Sequence, residues 1–256
     1  MKRERLLIPV VLIALAIGFT ACNKDNTNSS TSGNSNLGIK LQALNKSFSM
    51  PVASVGLKSA TITTASITWD AASMIVSSVK FEAKLKSVVT HHDSIEINYK
   101  WSGPKEIDLL DPLATVGNFV LQQGFYDEIE IKVNGSKQDA GDKSVFYLHG
   151  VYNKDNLTAL PVMVKVNEDV MFKTEKDSVD ITATSSPVFS SIIQLYLDKL
   201  MVDIQLSALD NATLTDGTIV ISANSNTELY KIVIRNLVKN HHWEHGNGHG
   251  EGDGHM

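Results

Sequence analysis

Three runs in this chain alternate apolar and polar residues with a period of two. They are Ala65, Ile67 and Trp69; Val79, Phe81, Ala83 and Leu85; and Ile95, Ile97, Tyr99 and Trp101. Successive side chains of a strand point to opposite faces, so this pattern puts one face in a core and the other in water. A helix cannot satisfy it. Further short runs follow at Ile129, Ile131 and Val133; at Val145, Tyr147 and Val151; and at Val162, Val164 and Val166, entered at Pro161 as suits a strand start or an edge. Val179 with Ile181, then Ile193, Leu195 and Leu197, then Ile219 with Ile221 complete the set. Residues 89–93 read as a hairpin loop and Asn134-Gly135 as a turn.

One late segment has helical spacing: Leu229, Ile232, Val233 and Leu237, with Asn226 or Thr227 as its cap. Residues 200–206 suit a further short turn. Short strands, frequent turn signals and so little helix predict an all-β, mainly antiparallel β-sandwich with one short C-terminal helix. The expected body runs over residues 60–240 as one domain, long enough to bury about 70% of its unfolded surface.

The N-terminus carries a different signal. Lys2, Arg3 and Arg5 precede Leu6 to Phe19, fourteen residues without a charge. That is shorter than the roughly 20 residues a spanning helix needs, and a basic start before such a run is the pattern of a secretory signal peptide over residues 1–21. Ala21 before Cys22 resembles the lipobox of bacterial lipoprotein signal peptides. The resemblance implies cleavage before Cys22 and a lipidated thiol there. One acyl chain binds membranes marginally, but the two or three chains implied, at about 0.8 kcal/mol per buried methylene, hold permanently. Cys22 is the only cysteine, so its lipidation leaves no thiol for disulfides, thiolate metal sites or cysteine nucleophiles.

Removing residues 1–21 moves the formal charge from −5 to −7. An acidic chain without a basic stripe excludes nucleic acid as a partner. Residues 22–59 are expected to form the lipidated cysteine and a flexible tether, since NKDNTNSSTSGNSNL is nearly all Asn, Ser, Thr and Gly. Lys24-Asp25 is similar to the charged surface-export signals of some Gram-negative lipoproteins, which leaves both the periplasmic face and the cell surface open.

A second resemblance lies further along. Residues 106–111, EIDLLD, followed by LQQGFYDEIEIKV over residues 121–133, resemble a family of Gram-negative envelope lipoproteins with a β-sandwich domain of unknown function. It implies an immunoglobulin- or transthyretin-like sandwich and an outer-membrane location, and it implies no activity.

Five of the eight histidines fall in the tail KNHHWEHGNGHGEGDGHM. His241, His242 and His245 share a face if the preceding helix continues. His249 and His255, with Glu244, Glu251 and Asp253, add donors, and imidazole suits Zn or Cu. Against this, Gly246, Gly248, Gly250, Gly252 and Gly254 make a fixed cage entropically costly, so residues 241–256 read first as a disordered, solvated end. His91 and His92 form a secondary metal candidate that surface-loop polarity also explains. His149 sits in an apolar run and reads as a core or half-exposed residue. Trp69, Tyr99 and Trp101 fall on the apolar phase of their strands, which favours core packing over a glycan platform; Trp243 is expected to be exposed.

Catalytic motifs are absent: the sequence has no G-x-S-x-G, H-E-x-x-H, P-loop or dinucleotide fingerprint. The expectation is a non-enzymatic, lipid-anchored envelope protein that binds a protein, glycan or metal ligand. The alternatives are Zn or Cu handling through the tail, and a structural or adhesive subunit pairing strands at an open sheet edge.

Overall fold

The computed structural model describes residues 34–50, 65–86, 94–139, 143–154, 159–181, 188–239 and 241–245, with residues 34–36, 94–95, 188–191, 239 and 241–245 described by backbone alone. The chain divides into two units, Met1–Thr31 and Ser32–Met256, and every described residue belongs to the second. Cys22, His91, His92, His249 and His255 lie outside the described residues. No helix among those residues is long and apolar enough to cross a membrane.

The core is organised on one strand. β3, Ala65–Lys86, is 22 residues long, well beyond the usual strand of three to ten residues. Its buried positions change phase twice: Ala65, Ile67 and Trp69, then Ala72, Met74 and Val76, then Val79, Phe81, Ala83 and Leu85. Uninterrupted alternation would swing the middle third out to water. Irregular pairing prevents this. Asp70 is passed over between Trp69 and Ala71 in the ladder with β7, Phe146–Lys154. A second shift falls between Val76 and Ser78 in the ladder with β4, Ser94–Asp108. A bulge adds a residue without turning the strand over, so the two alternating runs seen in the sequence are parts of one element.

β3 also changes partners along its length. On one edge, β2, Ser47–Met50, gives way to β4; on the other, β7 gives way to β6, Gly124–Gly135. The sheet therefore forks. One branch continues from β7 through β8, Leu160–Val166, to β12, Thr218–Ser222, and the two-residue β11, Leu214–Thr215. The other is β4–β3–β6–β9, where β9 is Val170–Ile181. A second, four-stranded sheet contains β1, Asn34–Leu44; β5, Gly117–Gln122; β10, Val188–Tyr196; and β13, His241–His245, in the order β13–β10–β1–β5. Pairing is antiparallel except in β1–β10 and β8–β12. The expected all-β, mainly antiparallel sandwich is therefore present.

The two sheets meet around aromatic rings. Phe119 of β5 lies 5.8 Å from Phe81 of β3 and 5.6 Å from Tyr99 of β4, and Phe81 to Tyr99 is 5.9 Å between centroids. Such distances suit offset and tilted aromatic contacts. Leu109 ties the layers through its backbone: its N–H donates to Ala72 O and its O accepts from Ala43 N, both at 2.8 Å.

Several expectations are corrected. Residues 34–50 were expected within the tether, yet they form β1 and β2, and Leu37, Ile39 and Leu41 are fully buried. Leu37, Ile39 and Leu41 alternate with Gly38, Lys40 and Gln42, and β10 and β5 flank the strand on its two sides. The folded body begins by Asn34 rather than at residue 60. Asn134-Gly135 is not a turn but the end of β6. A Cβ at Gly135 would meet Val145 Cγ1 at 2.5 Å and Ile75 O at 2.9 Å, so packing explains this glycine. Among the described residues three helices stand where one was expected: α1, Leu197–Leu200; α2, Leu206–Asp210; and α3, Thr227–Lys239. α3 is the helix read from spacing, with Leu229, Val233 and Leu237 buried. The Asn226 side chain does not cap it; it bonds Thr213 N and O and Val220 O instead. Leu197 begins α1 rather than ending a strand.

Candidate functional site

α3 ends at Lys239, and residues 241–245 pair antiparallel with β10 in a register that sets His241 opposite Leu195 and His245 opposite Ser191. The helical relation expected among His241, His242 and His245 therefore does not hold, and the part of the tail expected to be disordered begins with a paired strand. His91 and His92 lie outside the described residues, between Lys86 of β3 and Ser94 of β4, which pair with each other. His149 is half-buried on β7, and its Nδ1 lies 2.6 Å from Oδ1 of Asp70, the bulge residue of β3. Trp69 is buried at 1% exposure, and Tyr99 and Trp101 are half-buried against the core. The expected core reading of these aromatics stands.

The most organised polar surface is the solvent face of β4–β3–β6–β9, built from the wet phase of the same alternation that builds the core. Register lines its charges up in bands across the strands. Lys100, Lys80, Lys132 and Lys173 are directly opposite one another from β4 to β9. The next band is Asn98, Glu82, Glu130 and Glu175, and the one after is Glu96, Lys84, Glu128 and Asp177. Adjacent strands are about 4.8 Å apart, so each band spans roughly 14 Å. Like charges directly opposite cost about 0.2–1 kcal/mol per pair.

Ion pairs along and diagonally between the strands offset that cost. Lys80 to Glu82 is 2.6 Å, Lys132 to Glu82 is 3.3 Å, Lys173 to Glu130 is 2.5 Å and Lys173 to Glu175 is 2.9 Å. Lys132 also pairs with Glu130, and Lys84 with Glu128. The result is an unbroken zigzag from Lys80 to Glu175. Hydrogen bonds from Lys132 and then Lys173 hold the Glu130 carboxyl down at about 2, against an ordinary 4.5. The same contacts raise Lys132, through Glu130, and Lys173, through Glu130 and then Glu175; Glu128 likewise raises Lys84.

Carboxylate oxygens of Glu128, Glu130 and Glu175 lie within 4.8 Å of one another, a donor set that a hard cation can use. Each of the three is already engaged by Lys84, Lys132 or Lys173, so a metal has ammonium groups to displace. Glu82, Lys84, Glu96, Asn98, Glu128 and Glu130 border a depression of about 210 Å³, below the 300–1,000 Å³ typical of small-molecule pockets. A larger groove of about 470 Å³ runs beside β2 and the turn after α1, past Phe48, Met50, Val202 and Ile204. Its Asp198 and Asp203 are committed to Asn45 and Arg235.

The chain matches no family model, no curated protein and no solved structure. The banded face is thus the feature of this surface with the most chemistry to read. Sequence reasoning saw Lys80, Glu82, Lys84, Glu96, Lys100, Glu128, Glu130 and Lys132 only as wet positions of separate strands. Their signal was the repeated charge at every second position; what it lacked was the cross-strand register.

Proposed function

We propose that this chain is a lipoprotein of the Gram-negative cell envelope, anchored in the outer membrane through Cys22, whose β-sandwich works by binding rather than by turnover. The observation that carries the binding reading is the banded face. It is four strands wide, solvent-facing and patterned in charge, and charge patterning of that kind sets orientation and partner choice at protein surfaces. The folded start at Asn34 bears on the anchor. Only residues 23–33 separate Cys22 from the first strand, a contour of about 40 Å at most, so the body is leashed far more closely than a tether to residue 59 allows.

Two measurements test the two halves. Radiolabelled palmitate should enter the wild-type chain and not a Cys22→Ser variant; label retained by that variant sinks the anchor. Carbodiimide cross-linking in intact cells, which joins amines to carboxylates in contact, should link Glu82 or Glu130 to another polypeptide. Cross-links confined to single chains overturn the binding reading.

A further inference from the structure

The bands on β4–β3–β6–β9 are complementary to themselves. A two-fold axis lying above the sheet, parallel to the bands and midway between the lysine and glutamate rows, reverses strand direction and keeps the strand order. It sets Lys80 over Glu82 of a second copy, Lys132 over Glu130, Lys173 over Glu175 and Lys100 over Asn98, and each contact is repeated by symmetry. The third band, Lys84 with Glu96, Glu128 and Asp177, then falls over uncharged Ser78, Ser102, Asn134 and Met171. No like charges meet. We propose that this face is a homotypic docking surface, whose occupant is a second copy of the same chain related by that two-fold.

Two observations favour this over simple solvation of a sheet. A face shaped only by its own strands gains by alternating charge across the strands, because directly opposed unlike charges stabilise and like charges do not. This one places lysine against lysine across four strands and glutamate against glutamate across three. The outer charged side chains also remain accessible, Lys80 at 45% exposed, Lys173 at 41% and Glu175 at 46%, while Lys132 is 28% and Glu130 13% exposed between them. Two sheets of like twist stack with their strands within about 30°, close enough to keep so short a patch in register. The patch is smaller than the roughly 800 Å² per partner of a standard interface, so the pairing is weak, fast and salt-sensitive. The proposal concerns the face alone and does not depend on lipid at Cys22.

A charge exchange tests it. Sedimentation of the full chain in detergent, at high protein concentration and low salt, should show mass rising toward twice the monomer, and the rise should vanish in 1 M salt, where the Debye length falls to about 3 Å. The variant K80E/K132E/K173E makes both central rows acidic on β3, β6 and β9, E82K/E130K/E175K makes them basic, and each alone should stay monomeric. Mixed, they should associate at least tenfold more tightly than wild type, because the six exchanged positions still pair unlike charges across the two-fold while neither variant keeps lysine–glutamate pairs of its own among them to give up. Carbodiimide treatment of mixed ¹⁴N- and ¹⁵N-labelled wild type should give mixed-isotope links between Lys80 and Glu82. A monomeric wild type, or self-association of either variant, overturns the proposal. So does a monomeric mixture. If the triple variants lose their folded circular dichroism, the mixed-isotope link in wild type decides: its presence upholds the proposal and its absence overturns it. Links to a different protein without mixed-isotope links also overturn it, while leaving the binding reading intact.

Discussion

Ile39→Ala asks directly whether the segment before residue 60 belongs to the core. Ile39 is fully buried on β1, its neighbours in register are Ser191 of β10 and Gly117 of β5, and its O accepts from Val116 N at 2.8 Å. The substitution removes three carbons. At about 0.8 kcal/mol per buried methylene the transfer loss is about 2.4 kcal/mol. Residual cavity adds to it, since β1 is held by ladders on both sides and cannot collapse freely, giving about 3–4 kcal/mol. With a urea m-value of about 2–3 kcal/mol/M, the denaturation midpoint should fall by about 1–2 M. The melting temperature should fall by about 6–16 °C. Alanine at an exposed position of a flexible tether instead changes stability by no more than about 0.5 kcal/mol. A midpoint shift below about 0.2 M, with m unchanged, therefore refutes the placement of β1 in the fold. Leu37 and Leu41, buried to the same degree, should behave alike.

Four further outcomes are expected. Gly150→Ala should unfold the domain or cost more than about 3 kcal/mol, because a Cβ there meets Thr68 O at 2.3 Å and Trp69 Cα at 2.8 Å, backbone that no rotamer change can move; a thermal melt within 2–3 °C of wild type, about 1 kcal/mol, contradicts it. Asn236→Ala, at a residue 5% exposed that donates to Leu200 O at 3.1 Å and Val202 O at 2.7 Å, should lose about 1–3 kcal/mol in the same assay. Glu130 has its pKa depressed in the folded state, so its contribution is complete above about pH 4.5 and is lost as pH falls toward 2. Wild type should therefore lose about 1 kcal/mol more than Glu130→Gln between roughly pH 6 and pH 2, the figure kept small by solvent screening of both lysines; equal losses by urea titration count against the network. Deleting residues 241–256 should raise hydrogen exchange at Ser191–Leu195 of β10, whereas deleting 246–256 should not, because only the first cut removes β13. The shorter deletion is thus the proper control for any Zn or Cu titration of the tail.

Local pattern made the all-β class, α3 and most strands legible, because alternation and helical spacing follow from side-chain geometry along one element. β1 escaped that reading for a compositional reason. It begins in a run of Asn, Ser and Gly, and its apolar phase, Leu37, Ile39 and Leu41, is short enough to look like tether. β3 was legible only in halves, since the residues between Asp70 and Ser78 are out of phase with both flanking runs. Those phase changes carry information only once β7 and β4 are seen to pair across them.

The same division holds for the surface. The sequence by itself determined that lysines and glutamates occupy every second position on several strands, and that those positions face water. Whether lysine meets glutamate or another lysine across a ladder is a matter of register, and a shift of two residues exchanges the two outcomes without disturbing the core. Bulges and long-range pairing set that register, through contacts between residues tens of positions apart. Tertiary structure alone aligned Lys80 with Lys100 and Lys132, and Glu82 with Glu130, and so turned scattered wet positions into a banded face.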